Sequence, residues 1–250
     1  MKNCEEQFGN KNNFEVTGKE KMNVTQNKVK LILRELKSLS NPNAMISMTK
    51  SGINPENTFG VSIPNLRKIA RKTGQNHELA QQLWKSEIHE ARILAGMIDE
   101  PDLVTEEQMN NWVEEFDSWA VCDQVCINLF DKTKFAYQKA IEWSKNEGEF
   151  IKRAGFVLMA VLAVHDQKTN DSEFVKFFSI IKREAIDDRN FVKKAVNWAL
   201  RQIGKRNENL RVAAMRLARE IKTVDSRTAR WIATDALREL EAKFFKNIRA

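Results

Sequence analysis

Residues 116–130 read F-D-S-W-A-V-C-D-Q-V-C-I-N-L-F. The stretch has no glycine or proline, and Asp117 or Ser118 stands where a helix N-cap belongs, so a helix is expected. At about 100° per residue, Trp119, Cys122, Asp123, Cys126, Ile127 and Phe130 project into one broad sector. Asp123 is the only charge in that apolar sector, and Trp119 lies one turn before it. A carboxylate there needs partners or a cavity. It is either a buried acid satisfied by an arginine or backbone amides, or a catalytic carboxylate beside an aromatic wall. The stretch alone favours the first.

Working outward, four other segments resemble this one: H-E-A-R-I-L-A-G-M-I, F-I-K-R-A-G-F-V-L-M-A, F-V-K-K-A-V-N-W-A-L and L-R-V-A-A-M-R-L-A. Their small anchor residues are Ala91, Cys122, Ala154, Ala195 and Ala213, spaced by 31, 32, 41 and 18. The first three spacings suit a two-helix repeat, and the last suits a terminal cap. Helices are expected over 25–39, 43–49, 63–73, 77–85, 88–99, 106–115, 118–130, 132–145, 149–164, 172–185, 188–204, 207–221 and 226–247, with no strand. The fold class is therefore all-α, an α-solenoid of HEAT-like helical repeats with a concave basic groove. Residues 1–23 are polar and expected to be disordered, and 24–250 are expected to form one repeat domain.

Composition narrows the function. The chain of 250 residues holds only 4 prolines and 9 glycines, which favours helices. Residues 145–250 carry 23 lysines and arginines against 14 acids, while residues 1–144 carry 18 against 20. A basic C-terminal half suits a polyanion such as nucleic acid. Cys4, Cys122 and Cys126 cannot build a disulfide framework, and the three histidines lack metal-ligand spacing. No apolar run reaches membrane length, and no signal-peptide core opens the chain. A cytoplasmic protein with no membrane partner, no metal and no cofactor, acting as a monomer, is expected.

Charges on the inner helices stand out. In 149–164 the cations Lys152 and Arg153 sit in the first turn, so Arg153 either reaches the groove or pairs with a buried carboxylate such as Asp123. In 188–204, Lys194, Trp198, Arg201 and Lys205 share a stripe away from the apolar face, which suits a phosphate backbone with a sugar or base. Arg211 could extend it. Trp84, Trp112, Trp143 and Trp231 are expected to be packing residues. Ser62 precedes a helix whose cationic face includes Arg67 and whose start could hold a phosphate.

Three of these motifs, W-A-V-C-D, F-I-K-R-A and F-V-K-K-A-V-N-W-A-L-R, with T-F-G-V-S-I-P-N-L-R before them, resemble the HEAT-like-repeat DNA alkylation-repair glycosylases of the AlkD type over residues 58–221. The resemblance implies base-excision repair: hydrolysis of the N-glycosidic bond of N3- or N7-alkylated purines in double-stranded DNA. It matches Trp119, Asp123, Arg153, Trp198 and, less closely, Arg201 to the family's site. Such purines are already cationic, so an ionised Asp123 could stabilise the oxocarbenium-like sugar and orient water. Trp119 and Trp198 would contact the nucleotide through their ring faces. Arg153, Lys152, Lys194, Arg201, Lys205, Arg67 and Arg211 would hold DNA. The rival reading is a non-catalytic HEAT-repeat scaffold that binds nucleic acid or protein.

Overall fold

A computed structural model describes residues 18–248 of the chain, with side chains from 22 to 242. The described residues form thirteen α-helices and one 3₁₀ turn, Phe130–Lys132, without a strand. The helices are α1 (Gly18–Ser38), α2 (Pro42–Lys50), α3 (Ile63–Thr73), α4 (His77–Trp84), α5 (His89–Ile98), α6 (Glu106–Glu114), α7 (Trp119–Asn128), α8 (Ala136–Trp143), α9 (Glu149–His165), α10 (Asp171–Glu184), α11 (Asn190–Arg206), α12 (Glu208–Lys222) and α13 (Arg227–Ile248). None of the described helices is long and apolar enough to cross a membrane. The expected disorder of residues 1–23 lies partly outside the described residues; 18–23 are the first turns of α1.

The all-α solenoid expected from the repeats is what forms. An inner row, α3, α5, α7, α9, α11 and α13, packs helix against successive helix. The anchors Ala91, Cys122, Ala154 and Ala195 are fully buried, and their size lets backbones close up. Among the helical glycines the tightest approach is Gly155 of α9: a Cβ there would lie 2.5 Å from the Ser144 amide nitrogen and 3.0 Å from the Ala140 carbonyl of α8. One expectation is corrected. The segment around Ala213 is α12, which packs beside α10 in the outer row, and the last inner helix is α13.

The outer row is joined by aromatics. Trp84 of α4 stacks on Trp112 of α6 at 4.0 Å, and Phe130 links Trp112 to Trp143 of α8 at 6.3 and 5.8 Å. Tyr137 of α8 reaches Phe174 and Phe177 of α10 at 6.1 Å. These pairs bury large apolar area in offset geometries that are worth about 0.5–1.5 kcal/mol each beyond burial.

Loop 51–62 closes over the inner row. Glu90 of α5 is fully buried and accepts from the Thr58 hydroxyl at 2.7 Å and from the amides of Phe59, Gly60 and Val61 at 3.0, 2.7 and 3.1 Å. Gly60 takes φ +73, which lets consecutive amides converge on one carboxylate.

Candidate functional site

Helix α7 starts at Ser118, whose Oγ accepts from the Val121 amide at 3.3 Å. That cap makes Trp119 the first helical residue and Asp123 the fifth. Helices α9 and α11 start at Glu149 and Asn190, so their fifth residues are Arg153 and Lys194. The inner helices pack side by side, and these three side chains line one cleft.

Trp119 is half-buried, and its indole N–H donates to the Ser51 carbonyl at 3.0 Å, tying α7 to loop 51–62. Asp123 and Arg153 form a two-pronged pair: Nε donates to Oδ1 at 2.9 Å and Nη2 to Oδ2 at 2.8 Å. A third Arg153 donor, on Nη1, reaches the Phe191 carbonyl at 2.6 Å. Two hydrogen bonds and full charge compensation hold the carboxylate in one orientation. The side chains keep 13% and 7% of their surface, so the pair is nearly dry but not sealed. Of the two readings the sequence left open for Asp123, the arginine-satisfied acid is what the structure shows, and the carboxylate also borders a cleft beside Trp119.

A cleft of about 660 Å³ lies over the pair, lined by Lys50, Ser51, Gly52, Trp119, Asp123, Arg153, Asn190, Phe191 and Lys194. Gly52 takes φ +83, and a Cβ there would lie 3.0 Å from the Phe191 ring, so loop and α11 meet closely at the cleft edge. Burial pushes the Asp123 carboxyl above the ordinary aspartate range, with the Arg153 charge and hydrogen bonds opposing. Burial alone would lower Arg153, but Asp123 outweighs it and holds the guanidinium protonated. On the other side of Trp119 lies a more apolar cavity of about 550 Å³ reached by His89, whose burial favours the neutral imidazole.

The other expected residues are distributed differently. Lys194 is exposed at the cleft. Arg67 is exposed on α3 and does not line the cleft. Lys152 does not face the groove: it is buried and paired with Glu184 at 2.8 Å and Asp187 at 3.4 Å. Arg153 is likewise engaged by Asp123 rather than open to phosphate. Trp198 is half-buried against the core, one turn beyond Lys194, and does not line the cleft. Arg201 pairs with Glu239 and lies 3.7 Å from Asp235, both on α13. Lys205 pairs with the same Glu239, and buried Arg211 pairs with Glu208. The expected basic stripe is thus largely neutralised by acids of α13.

Ser51, Gly52, Phe191 and Glu90 shape the site and were not singled out in the sequence. S-G-I-N-P announced a loop, but nothing local said which helix it would cover. Trp231, expected in the core, is 43% exposed, with the Lys193 ammonium 5.8 Å from its ring centre. Among the described residues, no group of three or more His, Cys, Asp and Glu could hold a metal ion.

Comparison with known proteins places this geometry in context. A family model described as DNA alkylation repair enzyme matches residues 32–240. The protein Lin0241 of Listeria innocua is 30% identical over 127 residues, 49% of this chain but only 56% of that protein's length. The protein Lmo0209 of Listeria monocytogenes is 24% identical over 195 residues, covering 76% of this chain and 84% of its own. A solved structure described as a new family of proteins related to the HEAT-like repeat DNA glycosylases, with affinity for branched DNA structures, superposes with a TM-score of 0.71. It covers 84% of this chain and 94% of its own at 21% identity, a likeness of fold.

Proposed function

We infer that this chain, which belongs to the DNA alkylation repair enzyme family, is a DNA glycosylase that excises cationic N3- or N7-alkylated purines from duplex DNA. The observation that carries the reading is Asp123, fixed by Arg153 at 2.9 and 2.8 Å beside Trp119 in an open cleft. An alkylated purine leaves with the electron pair of its bond to C1′ and becomes neutral, so no strong general acid is needed. Positive charge then develops on the sugar. A carboxylate already oriented toward it needs no reorganisation at that moment. Water adds at C1′, and Asp123 orients it and takes up its proton. Trp119 supplies a ring face to the cationic nucleotide.

In this reading Arg153 is a positioning residue, because both carboxylate-facing donors are consumed by Asp123. Phosphates fall to the exposed Lys194 at the cleft and to the exposed Arg67 of α3. Trp198 would touch the strand one turn beyond Lys194, outside the reacting centre. The acid-paired Arg201, Lys205, Arg211 and Lys152 are assigned to holding helices together.

A second reading, a DNA-binding repeat protein without catalysis, draws on the structural neighbour's affinity for branched DNA. The two separate in one assay. Release of N7-methylguanine from methylated duplex DNA by the wild-type chain, and its loss in Asp123→Asn with DNA binding retained, supports the glycosylase. Tight DNA binding with no base release by the wild type leaves only the binding protein.

A further inference from the structure

Beyond Lys194 the inner row ends on α13, whose second turn carries Trp231. Contacts 38 residues apart set the register of α11 against α13: Asn197 donates to Asp235 at 2.7 Å, Arg201 pairs with Glu239, and Lys193 lies against Trp231. Trp231 is the one tryptophan among the described residues that is classed as exposed. Its indole, 43% exposed, keeps part of an aromatic face available for contact.

The surroundings say what kind. Lys193 stands 5.8 Å from the centre of one ring face. Arg227 and Arg230 are exposed on the first turn of the same helix, Arg230 sharing Asp225 at 3.1 Å. Asp235, one turn on, is tied to Asn197 and Arg238. A flat aromatic face flanked by cations fits a base with its neighbouring phosphates. Inside an intact duplex each base is covered above and below, so its face is not available to an indole. An unpaired base or one at a duplex end presents such a face.

We propose that Trp231, with Lys193 beside it, is a stacking platform for an unpaired nucleobase of the DNA that lies in the groove. The proposal rests on the reading that DNA runs along the inner row. Three helix-to-helix steps separate Asp123 from Trp231, and at about 8–10 Å per step the span is about 24–30 Å. The chain would grip best where a strand interruption or single-stranded tail lies about seven to nine base pairs from the reacting nucleotide, at 3.4 Å per pair.

The test measures binding of the full chain to a blunt intact duplex and to the same duplex carrying a single-stranded tail, by fluorescence anisotropy at fixed salt. The expected result is tighter binding of the tailed DNA by wild type, a loss of about tenfold or more for Trp231→Ala on that DNA alone, and retention in Trp231→Phe, whose ring still stacks. Base release from blunt methylated duplex is expected to be unchanged in Trp231→Ala. Equal loss on both DNAs, no loss on either, or concentration-dependent self-association that Trp231→Ala abolishes overturns the platform while leaving the glycosylase reading intact. Failure of the wild type to bind any DNA overturns both.

Discussion

Asp123→Asn and Arg153→Gln, made singly and together, separate what the ion pair does for the fold from what it does for chemistry. The side chains keep only 13% and 7% of their surface. Removing one partner of a buried pair costs about 3–5 kcal/mol, and the lower figure applies because the cleft wets one edge. In a chain of 250 residues about 3 kcal/mol lowers Tm by about 6–12 °C. Each single variant is expected to show that shift, Asp123→Asn because a guanidinium is left uncompensated, Arg153→Gln because a carboxylate is. The double variant buries two neutral amides that can hydrogen-bond to each other, and its Tm is expected to return to within about 3 °C of wild type, since no buried charge remains. Release of N7-methylguanine behaves differently. Losing a preorganised charge at the developing cation costs about 10²–10³ in rate, and neutral amides do not replace it. Calorimetry and single-turnover release on methylated duplex DNA read the two quantities separately. A double variant that regains base release along with its Tm would refute the reasoning, because the carboxylate would then serve only to neutralise Arg153.

Three further outcomes follow from particular contacts. In the glycosylase reading the working form of Asp123 is the ionised one, so release is expected to be full at high pH and lost as pH falls through its folded-state pKa; burial raises that pKa, so the loss sets in at a higher pH than for an exposed aspartate, and a single-turnover profile flat to pH 4 would contradict it. Gly155→Ala drives a methyl to 2.5 Å from the Ser144 amide nitrogen; α8 and α9 must part, and a loss of about 1–3 kcal/mol by denaturant titration is expected. Glu90→Gln removes the charge that four donors share and presents an N–H toward an amide of loop 51–62; about 2–3 kcal/mol is expected, with faster proteolysis within residues 51–57 as the direct readout.

The architecture was legible because small residues recur at a two-helix spacing, and burial of Ala91, Cys122, Ala154 and Ala195 is a backbone requirement rather than a matter of neighbours. The helices from Ile63 onward, with their polar breaks, followed the apolar periodicity for the same reason. What could not be read were pairings between helices. Lys194, Trp198, Arg201 and Lys205 do share a stripe, but Arg201 and Lys205 face Glu239, 38 and 34 residues further on. A helical wheel gives a side chain its direction and says nothing of what waits there. The same limit inverted Trp198 and Trp231: the tryptophan among cations packs against the core, and the one expected in the core stands in water beside Lys193. Loop 51–62 reached the site through Ser51 and Trp119, partners 68 residues apart. The Asp123–Arg153 pair was in view as one of two readings of each residue, because both sat among apolar neighbours that offered nothing else.

That pair also constrains how the chain divides labour. A guanidinium that gives three of its five N–H groups to Asp123 and the Phe191 carbonyl has its carboxylate-facing fork fully used. Were a phosphate to take the fork that holds Asp123, binding DNA would have to break two bonds to the carboxylate and free it to turn away from the sugar. Grip and chemistry would then oppose each other. Placing the grip on Lys194 and Arg67, and the base contact proposed for Trp231 at the far end, avoids that conflict. In that reading the inner surface carries an oriented carboxylate with exposed cations apart from it, an arrangement suited to a substrate whose backbone is anionic and whose reacting sugar becomes cationic.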